Sequence, residues 1–177
     1  MRASLIFLAY LEDADVAWMR QASVRIERAP GQVVIDSGIV NHDIFLLLDG
    51  QCQVQAPNGM ALDAIRSGDL IGEISFVDRR KTTARVTAGT RAVLAQLSAE
   101  VMGNKLASDP AFAARFYQGV ASVLAYRLRR NMQIAITGKT DVLADDDQMY
   151  AGEIDAADLD VTARAGARLS YLLQALG

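Results

Sequence analysis

The 177-residue sequence holds only one cysteine, one histidine, one tryptophan and three prolines. A single thiol excludes an internal disulfide, and one cysteine with one histidine gives no zinc cluster. Cys52 lies in an alternating apolar–polar run and reads as a small core thiol. His42 stands between Asn41 and Asp43 in a polar turn, so neither a histidine-based metal site nor a serine–histidine relay is expected. No apolar run approaches the roughly 20 residues that span a bilayer. The apolar stretch from Leu5 to Tyr10 is followed by Glu12, Asp13 and Asp15, which argues against a secretory signal and for a cytoplasmic protein. Positive charge is also scarce. Eighteen Lys and Arg face 21 Asp and Glu, a net charge of −3, whereas a nucleic-acid binder needs a basic surface to displace counterions.

What is present suits a soluble globular chain: 51% hydrophobic and 22% charged residues. The length fits one domain with an appendage. Residues 5–20 carry a loose helical stripe through Leu8, Leu11, Val16 and Met19, with Asp13 or Asp15 near a helix start. From residue 22 the period shortens to that of strands. Val24 to Arg28, Val33 to Ile35, Ile44 to Leu48, Gln51 to Gln55, Ala61 to Ile65, Thr82 to Ala88 and Ala92 to Leu97 are the expected strands. Asp49-Gly50 and Asn58-Gly59 mark tight turns between them. Short strands with turns at this interval imply an antiparallel sandwich or barrel, and a jelly-roll barrel over about residues 22–98 is the specific expectation.

Beyond the strands the pattern is helical. Ser98 caps a helix over 99–106, and Ser108-Asp109-Pro110 opens a longer one over 110–135. Phe112, Phe116, Val120 and Leu124 recur on it at four-residue spacing, which is expected to form packing surface and a homodimer or partner contact. Residues 1–138 thus read as one domain. Residues 139–177 read as an acidic linker, with eight carboxylates and no Lys or Arg from Asp141 to Asp160, and a C-terminal amphipathic helix from Ala156 to Leu176.

Gly38, Asp43, Phe45 and Gly50, then Gly68-Asp69, Gly72-Glu73-Ile74-Ser75-Phe76 and Thr83-Ala84-Arg85-Val86-Thr87-Ala88, occur in an order that resembles the cyclic-nucleotide-binding domain family. The resemblance covers about residues 5–135. It implies a ligand such as cyclic AMP or cyclic GMP, with Gly72, Glu73, Ile74, Ser75, Thr82 and Thr83 as binding residues. Glu73 would accept from a sugar hydroxyl, while Ile74 and Ser75 would donate backbone N–H groups to the cyclic phosphate. The physics agrees: a helical turn starting near Gly72 leaves unpaired N–H groups that favour an anion, and glycine allows close backbone approach.

One position departs from the family pattern. Thr82, nine positions after Glu73, stands where binding members usually carry the phosphate-neutralising arginine. An uncompensated buried charge costs about 2–5 kcal/mol, roughly thirty-fold to several thousand-fold in affinity, so weak binding is expected. Period-two alternation turns Thr82, Ala84, Val86 and Ala88 inward and Arg85 outward. Arg80, in the basic turn Arg79-Arg80-Lys81, is the cation best placed to substitute. The family's transcription factors append a helix-turn-helix, but the acidic region after Thr140 fits no DNA reader. Asp69 and Glu73 lack a second catalytic group, so no enzyme is expected. Two functions stay open: a sensory or regulatory module, and a degenerate domain kept for protein interaction or assembly.

Overall fold

In a computed structural model, residues 5–137 and 156–176 are described. The chain opens with helices α1 (Ile6–Tyr10) and α2 (Asp13–Ala22), followed by strands β1 (Val24–Arg28), β2 (Val33–Ile35), β3 (Ile44–Asp49), β4 (Gln51–Gln55), β5 (Ala61–Arg66) and β6 (Leu70–Ile71). Then come helix α3 (Glu73–Asp78), strands β7 (Arg85–Ala88) and β8 (Ala92–Leu97), and helices α4 (Ala99–Ser108), α5 (Pro110–Thr137) and α6 (Ala156–Leu176). The strands form two antiparallel four-stranded sheets, ordered β1-β8-β3-β6 and β2-β7-β4-β5. This is the expected jelly-roll arrangement, with one correction. The sheets face each other but do not close into a barrel, and β1, β6, β2 and β5 remain edges.

Period-two geometry explains the uninterrupted apolar run of β3. Its neighbours in the sheet are β8 and β6, and successive side chains leave by opposite faces. Phe45 and Leu47 enter the core between the sheets with Ile35, Cys52, Ile65, Ile71, Val86 and Leu94. Ile44, Leu46 and Leu48 enter a second core, under the helices. Cys52 is fully buried, and burial pushes its thiol up to about 11, so it is an inert core group.

The single helix expected over 5–20 is divided. Leu11 is extended, and Glu12 and Asp15 form a reciprocal capping box that starts α2 afresh. The Glu12 N–H donates to Asp15 Oδ2 at 2.8 Å. Arg115 of α5 then clamps Asp15 with bonds of 2.7 and 2.8 Å, tying the N-terminal helices to the long one.

The long helix corrects a further expectation. Phe112, Phe116 and Val120 are buried in the chain's own helical core, and so do not form a face for a second subunit. Phe116 packs edge-on to Phe7 at 5.7 Å and to Phe76 at 5.8 Å, while Phe112 meets Trp18 at 5.2 Å. Leu124 is partly buried against the same core. The outward side of α5 instead shows Tyr117, Leu128, Met132 and Ile136.

Helix α6 matches its expected limits and returns to the N-terminal helices. Ala165 and Leu172 are buried in the helical core. Arg168 bonds Asp13 Oδ1 at 2.8 Å and the Leu8 carbonyl at 3.0 Å. Arg20 lies over the Tyr171 ring at 5.5 Å. The acidic linker expected after Lys139 lies, up to residue 155, outside the described residues. Among the described residues one helix, not a helix-turn-helix pair, follows α5, and no helix is long and apolar enough to cross a membrane.

Candidate functional site

The site grows from the turn between β6 and α3. Gly72 caps α3 with φ of 89°, in the left-handed region that glycine adopts without strain. A Cβ there would stand 2.6 Å from the Asp43 carbonyl oxygen, so a side chain is excluded by space as well as by torsion. Asp43 is itself fixed, its carboxylate accepting from Gln96 Nε2 at 2.8 Å and from the Ala99 N–H at 2.9 Å. His42 Nδ1 lies 3.1 Å from the Ser75 carbonyl oxygen and braces α3 from the same loop. The sole histidine is thus a structural residue.

Helix α3 borders a cavity of about 230 Å³ lined by all seven expected ligand residues: Gly72, Glu73, Ile74, Ser75, Arg80, Thr82 and Thr83. Ile35, Ile65, Ile71 and Val86 form its apolar wall. Exposed Ile74, Asp78, Arg80, Lys81 and Thr83 surround its mouth. The first N–H groups of α3 have no acceptor within the helix. Ser75 is buried, and its hydroxyl makes a long 3.4 Å bond to the Gly72 carbonyl.

Glu73 is only 2% exposed. Burial pushes its carboxyl above the ordinary range, and the Arg127 guanidinium opposes that push. Arg127 comes from α5, donates through NH1 to Glu73 Oε1, and bonds the Leu70 carbonyl through NH2 at 2.9 Å. This guanidinium also lines the cavity. One turn further on, Arg130 bonds Asp63 of β5 at 2.7 Å. Sequence reasoning missed both arginines. The signal was present in helical phase: Val120 and Val123 are buried, and Arg127 and Arg130 continue that face at helical spacing.

Thr82 is half-buried and does not belong to a regular strand, because β7 begins at Arg85 rather than at Thr82. Its hydroxyl donates to the Asp36 carbonyl at 2.6 Å and lies 3.2 Å from the Ile39 N–H. Its backbone exchanges bonds of 2.7 and 2.9 Å with Gly38 and Ile39. Thr82 therefore staples the approach to β7 onto the turn after β2. Val86 and Ala88 face inward as expected, and Arg85 turns outward to Asp36 at 2.7 Å. Arg80 reaches the mouth, anchored through its backbone N–H to Asp78 Oδ1 at 3.0 Å. Among the described residues no group of His, Cys, Asp and Glu is arranged to hold a metal ion.

Residues 25–109 match the family model described as the cyclic nucleotide-binding domain. The chain is similar to the N-terminal domain of a transcriptional regulator from Streptomyces coelicolor A3(2), with 25% identity and a TM-score of 0.59 over 71% of this chain and 90% of that one. A cyclic nucleotide-binding domain from Methylobacillus flagellatus KT shares 17% identity, with a TM-score of 0.68 over 77% and 83% of the two chains. The sensor domain of the transcriptional regulator DNR from Pseudomonas aeruginosa also shares 17%, with a TM-score of 0.55 over 70% and 86%. No curated protein matches the chain.

Proposed function

Taking as premise that residues 25–109 belong to the cyclic nucleotide-binding domain family, we propose that this chain is a non-enzymatic, cytoplasmic sensory or regulatory module whose cavity takes cyclic AMP or cyclic GMP weakly. The observation that carries the reading is the Glu73–Arg127 pair. Glu73 is the cavity's buried carboxylate, and its partner belongs to the 28-residue helix α5. A ligand hydroxyl that bonds Glu73 redistributes the hydrogen bonds of Arg127, so occupancy is felt directly by α5. The Phe76–Phe116 contact gives α3 a second hold on the same helix. Weakness follows from Thr82, whose neutral hydroxyl is already engaged by Asp36.

Calorimetry of the full chain with each cyclic nucleotide at millimolar concentration tests the reading. Heat of binding, with slower amide exchange over residues 72–76, is the expected result. No heat and no protection with either nucleotide would sink it. The Thr82→Arg variant is expected to tighten binding at least tenfold by supplying the missing counter-charge.

A second reading is favoured by the same Thr82 staple: a family member that binds no nucleotide and serves assembly. In this reading the outward face of α5, with Leu128 61% and Ile136 80% exposed, carries a homodimer or another protein partner. Association independent of nucleotide would support it, as would failure of Thr82→Arg to create binding.

A further inference from the structure

The polar side chains deep in the cavity are largely engaged. The Thr82 hydroxyl gives its proton to Asp36, and Glu73 and Arg127 hold each other. On this side of the pocket the Arg127 guanidinium is already neutralised and the Thr82 hydroxyl is committed, which leaves the first N–H groups of α3 and the weakly bonded Ser75 hydroxyl. The mouth differs. Arg80 and Lys81 both line the cavity and are exposed, and among the described residues neither side chain has an ion-pair partner.

The turn that carries these cations is firmly held. Arg79, with φ of 58°, is the described non-glycine residue in the left-handed region, where a side chain needs compensating contacts. Its N–H bonds the Ser75 carbonyl at 3.1 Å, and its guanidinium lies over the Phe76 ring at 4.8 Å. Asp78 then fixes the Arg80 N–H. These contacts leave the next two side chains beside the opening. Asp78 contributes one negative charge there against two positive ones.

The cavity measures about 230 Å³ and opens at this mouth, so a ligand seated in it lies beside Arg80 and Lys81.

We infer that the ligand's phosphate sits at the mouth between Arg80 and Lys81, and that the site therefore prefers a nucleotide with an exocyclic, dianionic phosphate over a cyclic monoanion. This inference rests on the nucleotide-sensing reading above and replaces its phosphate position. Two cations that outnumber the one carboxylate beside them, Asp78, attract a dianion more strongly than a monoanion, and ionised donors make the shorter and stronger hydrogen bonds. The contacts are exposed, so salt screens them.

The test is calorimetry of the full chain with 5′-AMP and cyclic AMP, which share base and ribose and differ in the phosphate, repeated at two salt concentrations. The wild-type chain is expected to bind 5′-AMP about fivefold more tightly than cyclic AMP, with the advantage shrinking at high salt. Arg80→Ala/Lys81→Ala removes two exposed side chains and is expected to lower 5′-AMP affinity about fivefold to tenfold and abolish the preference. Thermal melting checks that this variant stays folded. Equal or tighter binding of cyclic AMP by the wild type would overturn the inference and leave nucleotide sensing intact. The same holds if the double variant keeps both affinities. If neither nucleotide binds the wild-type chain, the inference and the sensing reading both fall.

Discussion

Asp69 sits between β5 and the glycine turn, with its Oδ2 accepting the Arg66 N–H at 2.8 Å. Burial raises its carboxyl to about 6, although that hydrogen bond and the charge of Arg127 pull the other way. A carboxyl raised in the folded state holds its proton there at a pH where the unfolded chain has lost it. Folding is therefore favoured as pH falls from 7 toward 4, and the native state carries a strained charge at neutrality. Between pH 7 and pH 5 this group should add about 1 kcal/mol of stability. Asp69→Asn, which is neutral throughout and keeps an acceptor oxygen, is expected to flatten that dependence in urea unfolding at the two pH values. A wild-type chain that loses stability over this interval would contradict the assignment. At the same scale, Glu73 was legible because a cassette of neighbours surrounds it in sequence. For Arg127, helical phase marks the inward face but not the partner, since the carboxylate it serves lies 54 residues away and only the folded chain brings them together.

Among the elements, α5 shows how one helix divides its faces. Its inward side starts with aromatic residues that pack on Phe7, Trp18 and Phe76, and ends with arginines that bind the carboxylates of α3 and β5. Four-residue spacing revealed the stripe, but spacing alone does not say whether a stripe meets its own domain or a neighbour. Burial decides it for Phe112, Phe116 and Val120. Truncation on the two sides should therefore have different consequences. Phe116→Ala is expected to cost about 3–5 kcal/mol of stability. A Leu128→Ser/Met132→Ser pair, which changes exposed positions, should leave the melting temperature within a few degrees. If α5 carries a dimer, the same pair lowers the mass seen by light scattering. A dimer that survives this pair while Phe116→Ala unfolds the chain would place its interface elsewhere. Elements that announce themselves by length were the easy ones to read. The two-residue strand β6 gives no periodic signal, and the break between α1 and α2 depends on a capping box that two carboxylate positions only suggest.

For the molecule as a whole, alternation along the strands was enough to read an antiparallel sandwich or barrel, because a period of two sorts residues between two cores. Closure was not readable. It depends on whether edge strands meet, and hence on twist and register between segments distant in sequence. The packing of α6 was equally hidden, since an amphipathic helix states that it needs a partner without naming one. Its partner is the beginning of the same chain: Arg168 reaches Asp13 and Leu8, and Leu172 is buried with the N-terminal helices. Helix α6 and the N-terminal helices are thus held by side chains as well as by the backbone between them. A chain cut once between residues 137 and 156 should accordingly elute as a single species, and a synthetic 156–177 peptide should rejoin a 1–137 fragment and raise its melting temperature. Fragments that separate freely on a sizing column would refute that expectation. Reassociation would make the C-terminal helix a detachable subunit carried on the same polypeptide, its covalent tether a matter of local concentration rather than of architecture.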